Sequence, residues 1–371
     1  MAGWILRGVG RVLTSDGLSG PVDLTIDDGV IVEMSSARSG SKCIVVPAFT
    51  NAHSHLEYAT LMGKTTLGDM GDFLNSIVAL KELQSPEDVR EACFMAAEQN
   101  RRTGVARIWE HSDRPGSADA MAEQGLSGIV QKEVMDFFRQ PFRPGEADPF
   151  EELDGLIQFW GPHAPYSIRG ETLRWLAETD LPLSIHCAES LAEMSLFADG
   201  SGGWEKWRLS EGNPPLPGVG VTPVELLSEI DFLKPGRQLV HCCAVTDSDI
   251  ELMARSGVSA AHCPRSNKNL NCPIAPVRRM REAGIKVGIG LDSAASSGEI
   301  DFFAEMREAV SASRWLGEPL SVEDVWQMAC FDGAKAMGAD PEQGPWILVE
   351  GCSTLEEALL ARPEQVVQCM G

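Results

Sequence analysis

The stretch IVVPAFTNAHSHLE, residues 44–57, joins an apolar run to an H-x-H pair and begins the pattern that decides the fold class. From here short apolar runs alternate with longer amphipathic segments. Eight apolar runs predict strands: Ile44–Phe49, Val105–Trp109, Gly128–Gln131, Leu156–Trp160, Leu181–Ile185, Gln238–Val240, Val258–Ala261 and Ile285–Leu291. Strands that alternate with helices form a parallel sheet, and eight of them close a (β/α)₈ TIM barrel, an α/β fold.

Amphipathic segments between and after these runs predict the helices that cover the barrel. The segments are Glu87–Gln99, Thr172–Glu178, Pro223–Ile230, Asp247–Arg255, Pro276–Glu282, Phe302–Trp315 and Val322–Met337. Short strand-like runs flank the barrel at residues 4–13, 22–27, 30–34 and 346–349. We therefore predict that residues 1–46 and 339–371 form a small β-domain beside a barrel of residues 47–338.

The overall composition limits the kinds of binding partner and the cellular compartment that we expect. The formal net charge of −23 disfavours nucleic acid, and no apolar stretch approaches the roughly 20 residues of a membrane helix. The sequence has ten cysteines and no C-x-x-C pair, which indicates free thiols in a reducing compartment. Residues 1–17 show no secretory signal. We expect a cytoplasmic protein with a small-molecule substrate, and leave a homodimer open.

Histidines and one aspartate at predicted strand ends indicate a metal site. His53 and His55 follow the first run, His186 ends the fifth, and Asp292 follows the eighth. Strand ends of a barrel converge on one face, and residues two apart in a strand point the same way. Three neutral imidazoles and one carboxylate suit a single zinc ion with a position left for water, and ferrous iron is the alternative.

Two further groups suit acid–base chemistry next to such an ion. Glu189 lies three residues after His186, and a glutamate that is not a ligand carries the proton in zinc deaminases. The alternative is a glutamate that caps or pairs with the following helix. His241 ends the sixth run and would orient the attacking water, unless it is an ordinary core histidine. Asp292 could both bind the metal and take a proton from its water.

Substrate contacts are predicted at three residues. His163 lies in GPHAPYS, residues 161–167, where prolines would fix the direction of its ring. Glu57 follows the H-x-H pair and could touch substrate or form a structural ion pair. Trp204 lies in a Gly/Pro-rich connection, residues 197–220, that is either a lid over the site or a passive surface loop.

Taken together, six motifs in this order resemble the amidohydrolase superfamily. They are PAFTNAHSHLE (47–57), GPHAPYS (161–167), HCAES (186–190), LVHC (239–242), AHCPRSN (261–267) and GLDS (290–293). The resemblance covers Pro47 to about Ala336 and implies the ligands and catalytic residues named above. Leu156–Trp160 lacks the lysine of two-metal members, which indicates one metal. Glu189 favours the deaminases over chlorohydrolase-like relatives.

Within the deaminases, the sequence looks most similar to the adenosine-type branch. That branch includes S-adenosylhomocysteine/methylthioadenosine deaminases and the aminodeoxyfutalosine deaminases of menaquinone biosynthesis. The resemblance implies attack of a metal-activated hydroxide on the amine-bearing ring carbon of an adenine nucleoside, with release of ammonia. Aminodeoxyfutalosine is the first substrate expected, ahead of methylthioadenosine, S-adenosylhomocysteine and adenosine. The alternatives are another amidohydrolase or chlorohydrolase on this scaffold, and a catalytically silent barrel that binds a partner.

Overall fold

Eight parallel strands form the centre of the molecule. The computed structural model of the chain describes residues 3–136, 151–153, 155–202, 204 and 218–369. The parallel strands are Phe49–Ser54, Val105–Ser112, Ser127–Val134, Leu156–Pro162, Ser184–Cys187, Gln238–His241, Ser259–His262 and Val287–Ile289. The first four strands pair in chain order, and so do the last four.

Backbone hydrogen bonds close these two groups of four strands into a barrel. At one seam the amide of Asp292 donates to the carbonyl of His53 at 3.0 Å, and a parallel bridge joins Ser54 to Asp292. At the other seam the amide of His186 donates to the carbonyl of His163 at 2.9 Å. The predicted (β/α)₈ barrel is therefore confirmed, and both seams lie where candidate site residues are placed.

Helices cover the outside of the barrel. They are Met70–Leu83, Pro86–Arg102, Ser117–Glu123, Gly170–Glu178, Leu191–Asp199, Pro223–Glu229, Asp247–Ser256, Pro264–Asn269, Val277–Glu282, Ala294–Ser297, Phe302–Leu316, Val322–Gln327, Gly333–Ala336 and Leu355–Leu359. A π-helical stretch spans Met328–Asp332, and 3₁₀ turns lie at Leu56–Leu61, Pro341–Gln343 and Pro363–Gln365. Capping boxes such as Ser85 with Asp88 and Thr246 with Asp249 satisfy free amides and fix where helices begin.

Both ends of the chain build the small β-domain predicted from the sequence. One antiparallel sheet contains Trp4–Val9, Val22–Asp27 and Val30–Ser36. The other places its strands in the order Val366–Cys369, Trp346–Glu350, Cys43–Pro47, Arg11–Thr14 and Gly17–Ser19. The short strand Glu151–Leu153 instead extends the barrel sheet beside Leu156–Pro162.

One predicted strand was wrong in its position. The run Ile44–Phe49 divides at Ala48, so that Cys43–Pro47 belongs to the terminal sheet and the first barrel strand is Phe49–Ser54. Ala48 donates its amide to the carbonyl of Pro345 at 2.9 Å, which ties this junction to the C-terminal segment. A continuous apolar run cannot reveal such a break, since both strands are buried.

The barrel interior combines a small apolar layer with two buried glutamines, Gln131 and Gln238. Ala52, Val240, Ala261 and Cys263 pack together inside the barrel. Gln131 both donates to and accepts from the backbone of Ser184, at 2.7 and 2.8 Å, and links the two groups of strands.

The nine cysteines whose side chains are described are free. Among the described helices, none combines the length and the apolar composition that crossing a bilayer requires.

Arg237 holds the end of the barrel opposite the strand carboxyl ends. Arg237 is 1% exposed, and its guanidinium donates to the carbonyl oxygens of Leu176, Ala177, Thr179 and Leu181. Arg237 thereby fastens the start of the sixth strand to the segment that leads into the fifth. A planar group with five donors suits this cluster of acceptors.

We expect Arg237→Leu to lower the free energy of unfolding by roughly 3 kcal/mol, because several buried carbonyl oxygens lose their donor. The exposed Arg255, which only faces Glu251 at 3.9 Å, gives the control. Arg255→Leu should change stability by no more than about 0.5 kcal/mol. Urea unfolding of both variants in the same metal-loaded state measures the difference, and equal stabilities would contradict the role of Arg237.

Candidate active site

A cavity of about 410 Å³ opens at the carboxyl ends of the strands. Six residues singled out from the sequence line it: His55, His163, His186, Glu189, His241 and Asp292. His53 is fully buried and its ring lies 4.8 Å from the rings of both His55 and His186. Residues at the carboxyl ends of five different strands are thus brought together, as expected for one face of a barrel.

The predicted metal ligands lie within contact distance of one another. The Nε2 atoms of His55 and His186 are 3.3 Å apart. Asp292 Oδ1 lies 3.5 Å from His53 Nε2 and 3.7 Å from His55 Nε2. His53, His55 and Asp292 form one group of potential donors, and His53, His186 and His241 form another.

The electrostatics of this cluster suit a bound cation. Burial lowers the pKa of His53 and of His55 well below the usual value, so both rings are neutral at pH 7 and offer lone pairs. Among the described residues, neither ring nitrogen of His53 has a hydrogen-bond partner. Burial alone would raise the pKa of Asp292, yet contact with the His53 imidazole helps to hold it well below the usual value. Neutral imidazoles and an ionised carboxylate are the donor set that a divalent metal requires.

Surrounding groups fix the direction of the histidine rings. His186 Nδ1 donates to the carbonyl of His163 at 2.8 Å, which leaves Nε2 to face the cluster. His241 Nδ1 donates to Asn267 Oδ1 at 2.8 Å, so its Nε2 also carries a lone pair. These tautomers follow from the hydrogen-bond partners. Such outer contacts orient metal ligands and reacting groups.

Asp292 is held by its backbone as well as by its side chain. It adopts a φ of 55°, a left-handed conformation that is uncommon for a residue with a side chain. Its Oδ2 accepts hydrogen bonds from the hydroxyls of Ser266 and Ser296. His241 shows the same kind of conformation, with φ of 70°. Strained backbone of this type concentrates at functional sites, where the surrounding structure maintains it.

Glu189 faces the cavity and is not used as a helix cap. Ser190 caps the helix Leu191–Asp199 by accepting the amide of Glu193, and Glu193 accepts the amide of Glu189 at 2.7 Å. Glu189 Oε1 lies 3.4 Å from His241 Nε2. Burial raises the pKa of Glu189 well above the usual value, so a protonated carboxyl can donate to the bare His241 nitrogen.

The three residues predicted to touch substrate differ in position. His163 lines the cavity, and its Nδ1 is 2.7 Å from the hydroxyl of Ser167. Glu57 lies one layer behind the cavity wall, where it accepts the amide of Asp113 at 3.2 Å. Trp204 packs edge-on against Tyr166, which lines the cavity, with ring centroids 4.1 Å apart. Trp207 and most of the predicted lid lie outside the described residues.

Sequence reasoning missed the wall that faces the polar groups. The helix Met70–Leu83 presents apolar side chains to the cavity: Met70, Phe73, Leu74, Ile77 and Val78. Their spacing of three and four residues is the helical signal that could have revealed this wall. Glu133, at the end of the third barrel strand, also lines the cavity and was not singled out.

Comparison with known proteins agrees with this architecture. The model of the amidohydrolase family matches residues 44–344, a range that includes all six motifs quoted above. The chain is 28% identical over 347 residues to the 5-methylthioadenosine/S-adenosylhomocysteine deaminase of Halobacterium salinarum. That match covers 86% of this chain and 76% of the relative.

Solved structures share the fold. An adenosine deaminase from Xanthomonas campestris with bound zinc superimposes with a TM-score of 0.78 at 21% identity, covering 96% of this chain and 89% of the other. Aminofutalosine deaminase of Helicobacter pylori, in complex with methylthio-coformycin, gives 0.79 at 18% identity, covering 98% and 96%. At these identities the likeness concerns the fold alone.

We expect the purified chain to hold about one divalent ion, because the donor set suits a single site with an open position. His55→Ala should lower metal occupancy, since it removes one ligand. His163→Ala serves as the control: its side chain lines the same cavity but is not expected to bind the ion. Metal analysis of the three proteins tests this, and two tightly held ions per chain would contradict it.

Proposed function

Because this chain belongs to the amidohydrolase family, we propose that it is a hydrolytic deaminase of adenine-type nucleosides that works with one divalent metal ion. The family and the deaminases among its relatives make the chain a hydrolase of carbon–nitrogen bonds other than peptide bonds. The observation that carries the finer proposal is Glu189, a buried carboxyl that lies next to the ligand cluster and within 3.4 Å of His241.

His53, His55, His186 and Asp292 would hold the ion, with zinc proposed ahead of ferrous iron. A divalent ion bound there supplies Lewis acidity, which makes a water molecule a nucleophile near neutral pH. The unpartnered nitrogens of His53 support this assignment, since burial without a cation would leave them unsatisfied. The exposed edge of the cluster faces the cavity, where a substrate ring can approach.

Glu189 would move the proton that the reaction needs. Deamination adds the oxygen of water to the ring carbon and releases the exocyclic nitrogen as ammonia. The carboxylate of Glu189 accepts a proton from the attacking water on one oxygen and delivers it to the adjacent ring nitrogen. Its raised pKa keeps the acid form accessible near neutral pH, as general acid–base catalysis requires. The exocyclic nitrogen needs one further proton to leave as ammonia. This proton is the second proton of the attacking water, and Glu189 transfers it.

His241 and His163 would orient the reactants. His241 Nε2 is fixed by the bond from Nδ1 to Asn267, so it presents a lone pair towards Glu189 and the attacking water. His163 is fixed by Ser167 and by its own backbone contact with His186. Its ring is therefore placed to hydrogen-bond a ring nitrogen or a ribose hydroxyl of the substrate.

The apolar wall bears on the 5′ substituent. A nucleoside whose ring lies over the polar side of the cavity would direct its 5′ group towards the stripe of Phe73 and Ile77. Lys81 and Arg114 line the cavity beyond that stripe. Aminodeoxyfutalosine, whose 5′ extension carries an aromatic carboxylate, suits an apolar wall that ends near the Arg114 side chain, and we rank it first. Methylthioadenosine, S-adenosylhomocysteine and adenosine follow.

We expect Glu189→Gln to keep the fold and the metal while activity falls by about 10²–10⁴-fold, because an amide cannot shuttle protons. Glu305→Gln is the matched control, since Glu305 is a buried glutamate that bonds the amide of Arg265 and does not line the cavity. It should retain most activity. Steady-state ammonia release measures both, and near-normal turnover by Glu189→Gln would place the shuttle elsewhere.

The substrate class is tested by ammonia release from a panel under equal conditions. The panel contains the four adenine nucleosides above together with guanine, cytosine and s-triazines. We expect the highest kcat/KM on an adenine nucleoside, with aminodeoxyfutalosine first. If guanine, cytosine or a triazine gave the highest kcat/KM, the adenosine-type assignment would be overturned while the barrel and the metal site stood.

A further inference from the structure

Glu133 is a buried carboxylate in the cavity wall that the mechanism above does not use. It lies near the end of the third barrel strand, Ser127–Val134, and its side chain is 2% exposed. One oxygen, Oε1, lies 3.3 Å from His111 Nδ1 and 3.7 Å from His186 Nδ1. His186 is one of the proposed metal ligands, and Glu133 lies on the Nδ1 side of its ring.

The strand itself directs Glu133 to this place. Side chains alternate across a strand, so Gln131 and Glu133 face the barrel interior while Lys132 faces outward over the ring of Trp160. Gln131 is engaged with the backbone of the fifth strand, which fixes the height of the third strand relative to His186. The position of Glu133 is therefore built into the strand register.

Among the described residues, few positively charged side chains lie close enough to balance the charge of the Glu133 carboxylate. His111 Nδ1 lies 3.3 Å from Glu133 Oε1 and supplies one hydrogen bond. Lys81 is the nearby cation among the described residues, and its ammonium is already paired with Asp113 at 2.5 Å. A buried charge needs a counter-charge, and a divalent ion held by His186 would supply it.

We propose that Glu133 is a positioning residue for His186, which it orients and makes a stronger metal donor from behind. The proposal rests on the metal centre of the proposed function. His186 Nδ1–H points to the carbonyl of His163 at 2.8 Å, with Glu133 Oε1 0.9 Å farther away at 3.7 Å. A negative charge on that side of the ring stabilises the Nδ1–H tautomer and raises the electron density on Nε2.

His111 completes the arrangement as the group that holds Glu133. Its ring is fully buried on the second strand and lies 5.5 Å from the ring of His186. By donating to Oε1, it keeps that oxygen beside His186. The chain from His111 through Glu133 to His186 resembles the carboxylate–histidine pairs that accompany metal ligands in general.

The test compares zinc affinity in wild type, Glu133→Gln and Glu133→Ala by competition with a chromogenic chelator. We expect zinc binding to weaken by about 10–100-fold in Glu133→Ala, with Glu133→Gln between it and wild type, as removal of an outer carboxylate predicts. Asp249→Asn is the control, since it removes a buried carboxylate that only caps the helix Asp247–Ser256 and bonds Thr222. Its zinc affinity should equal that of wild type.

Cobalt-loaded protein gives a second readout that a merely structural role would not move. We expect the visible absorption bands of bound cobalt to shift in Glu133→Gln, because the orientation of His186 changes, and to stay unchanged in Asp249→Asn. If Glu133→Ala does not fold, the isosteric Glu133→Gln decides the question alone. Wild-type zinc affinity with unchanged cobalt bands in Glu133→Gln overturns the proposal, and so does equal loss of zinc in Asp249→Asn.

These outcomes separate this inference from the proposed function. If the wild-type chain binds no divalent ion, both the proposed metal centre and this inference are contradicted. If the wild-type chain binds zinc and deaminates nucleosides, and the Glu133→Gln variant binds zinc equally well, only this inference is contradicted.

Discussion

The rest of the site depends on the burial of neutral imidazoles against one another. The rings of His53, His55 and His186 lie with centroids 4.8 to 5.4 Å apart, in contact with a single ionised carboxylate. Burial lowers the pKa of each ring, so the cluster presents lone pairs of neutral imidazoles. A divalent cation of the proposed site would accept these lone pairs. The outer groups accordingly accept from Nδ1 of His186 and His241 or donate to Oδ2 of Asp292, and they leave the inner atoms free.

The backbone hydrogen bonds that close the barrel are made by residues of the histidine cluster. The hydrogen bond that joins the eighth strand to the first runs from Asp292 to His53, and the bond that joins the fifth to the fourth runs from His186 to His163. Closing the sheet therefore brings the proposed ligands together, and an ion bound between them would strengthen both closures. Ligand binding to the folded state stabilises that state, so metal and barrel stability are linked.

The sequence could predict what recurs in a simple pattern. Apolar runs located the second to eighth strands, and strand-end histidines indicated the proposed ligands because all eight ends meet on one face. It could not place the first strand, since Cys43–Pro47 and Phe49–Ser54 follow each other closely, are both buried and belong to different sheets. Asn267 and Ser266 lie within a quoted motif, but their contacts with His241 and Asp292 depend on a helical turn that no periodicity announces. Glu133 is a single acidic residue in a strand, a pattern that also fits an exposed position.

The cavity divides the work between two kinds of structure. One wall consists of strand ends and their first loops, where the backbone is rigid and several residues adopt left-handed conformations. The other wall is the helix Met70–Leu83, which contacts this region through the pair of Lys81 with Asp113 and through Tyr58, whose ring stacks on His55. Reacting groups need placement within fractions of an ångström, which rigid elements supply. Because Met70–Leu83 is a separate helix that follows the first barrel strand in the chain, its apolar face can change without moving the proposed ligands, so substrate preference can diverge while the chemistry is retained. The same separation explains why motifs at strand ends indicate the reaction class, whereas the 5′ group of the proposed nucleoside substrate would depend on the helix.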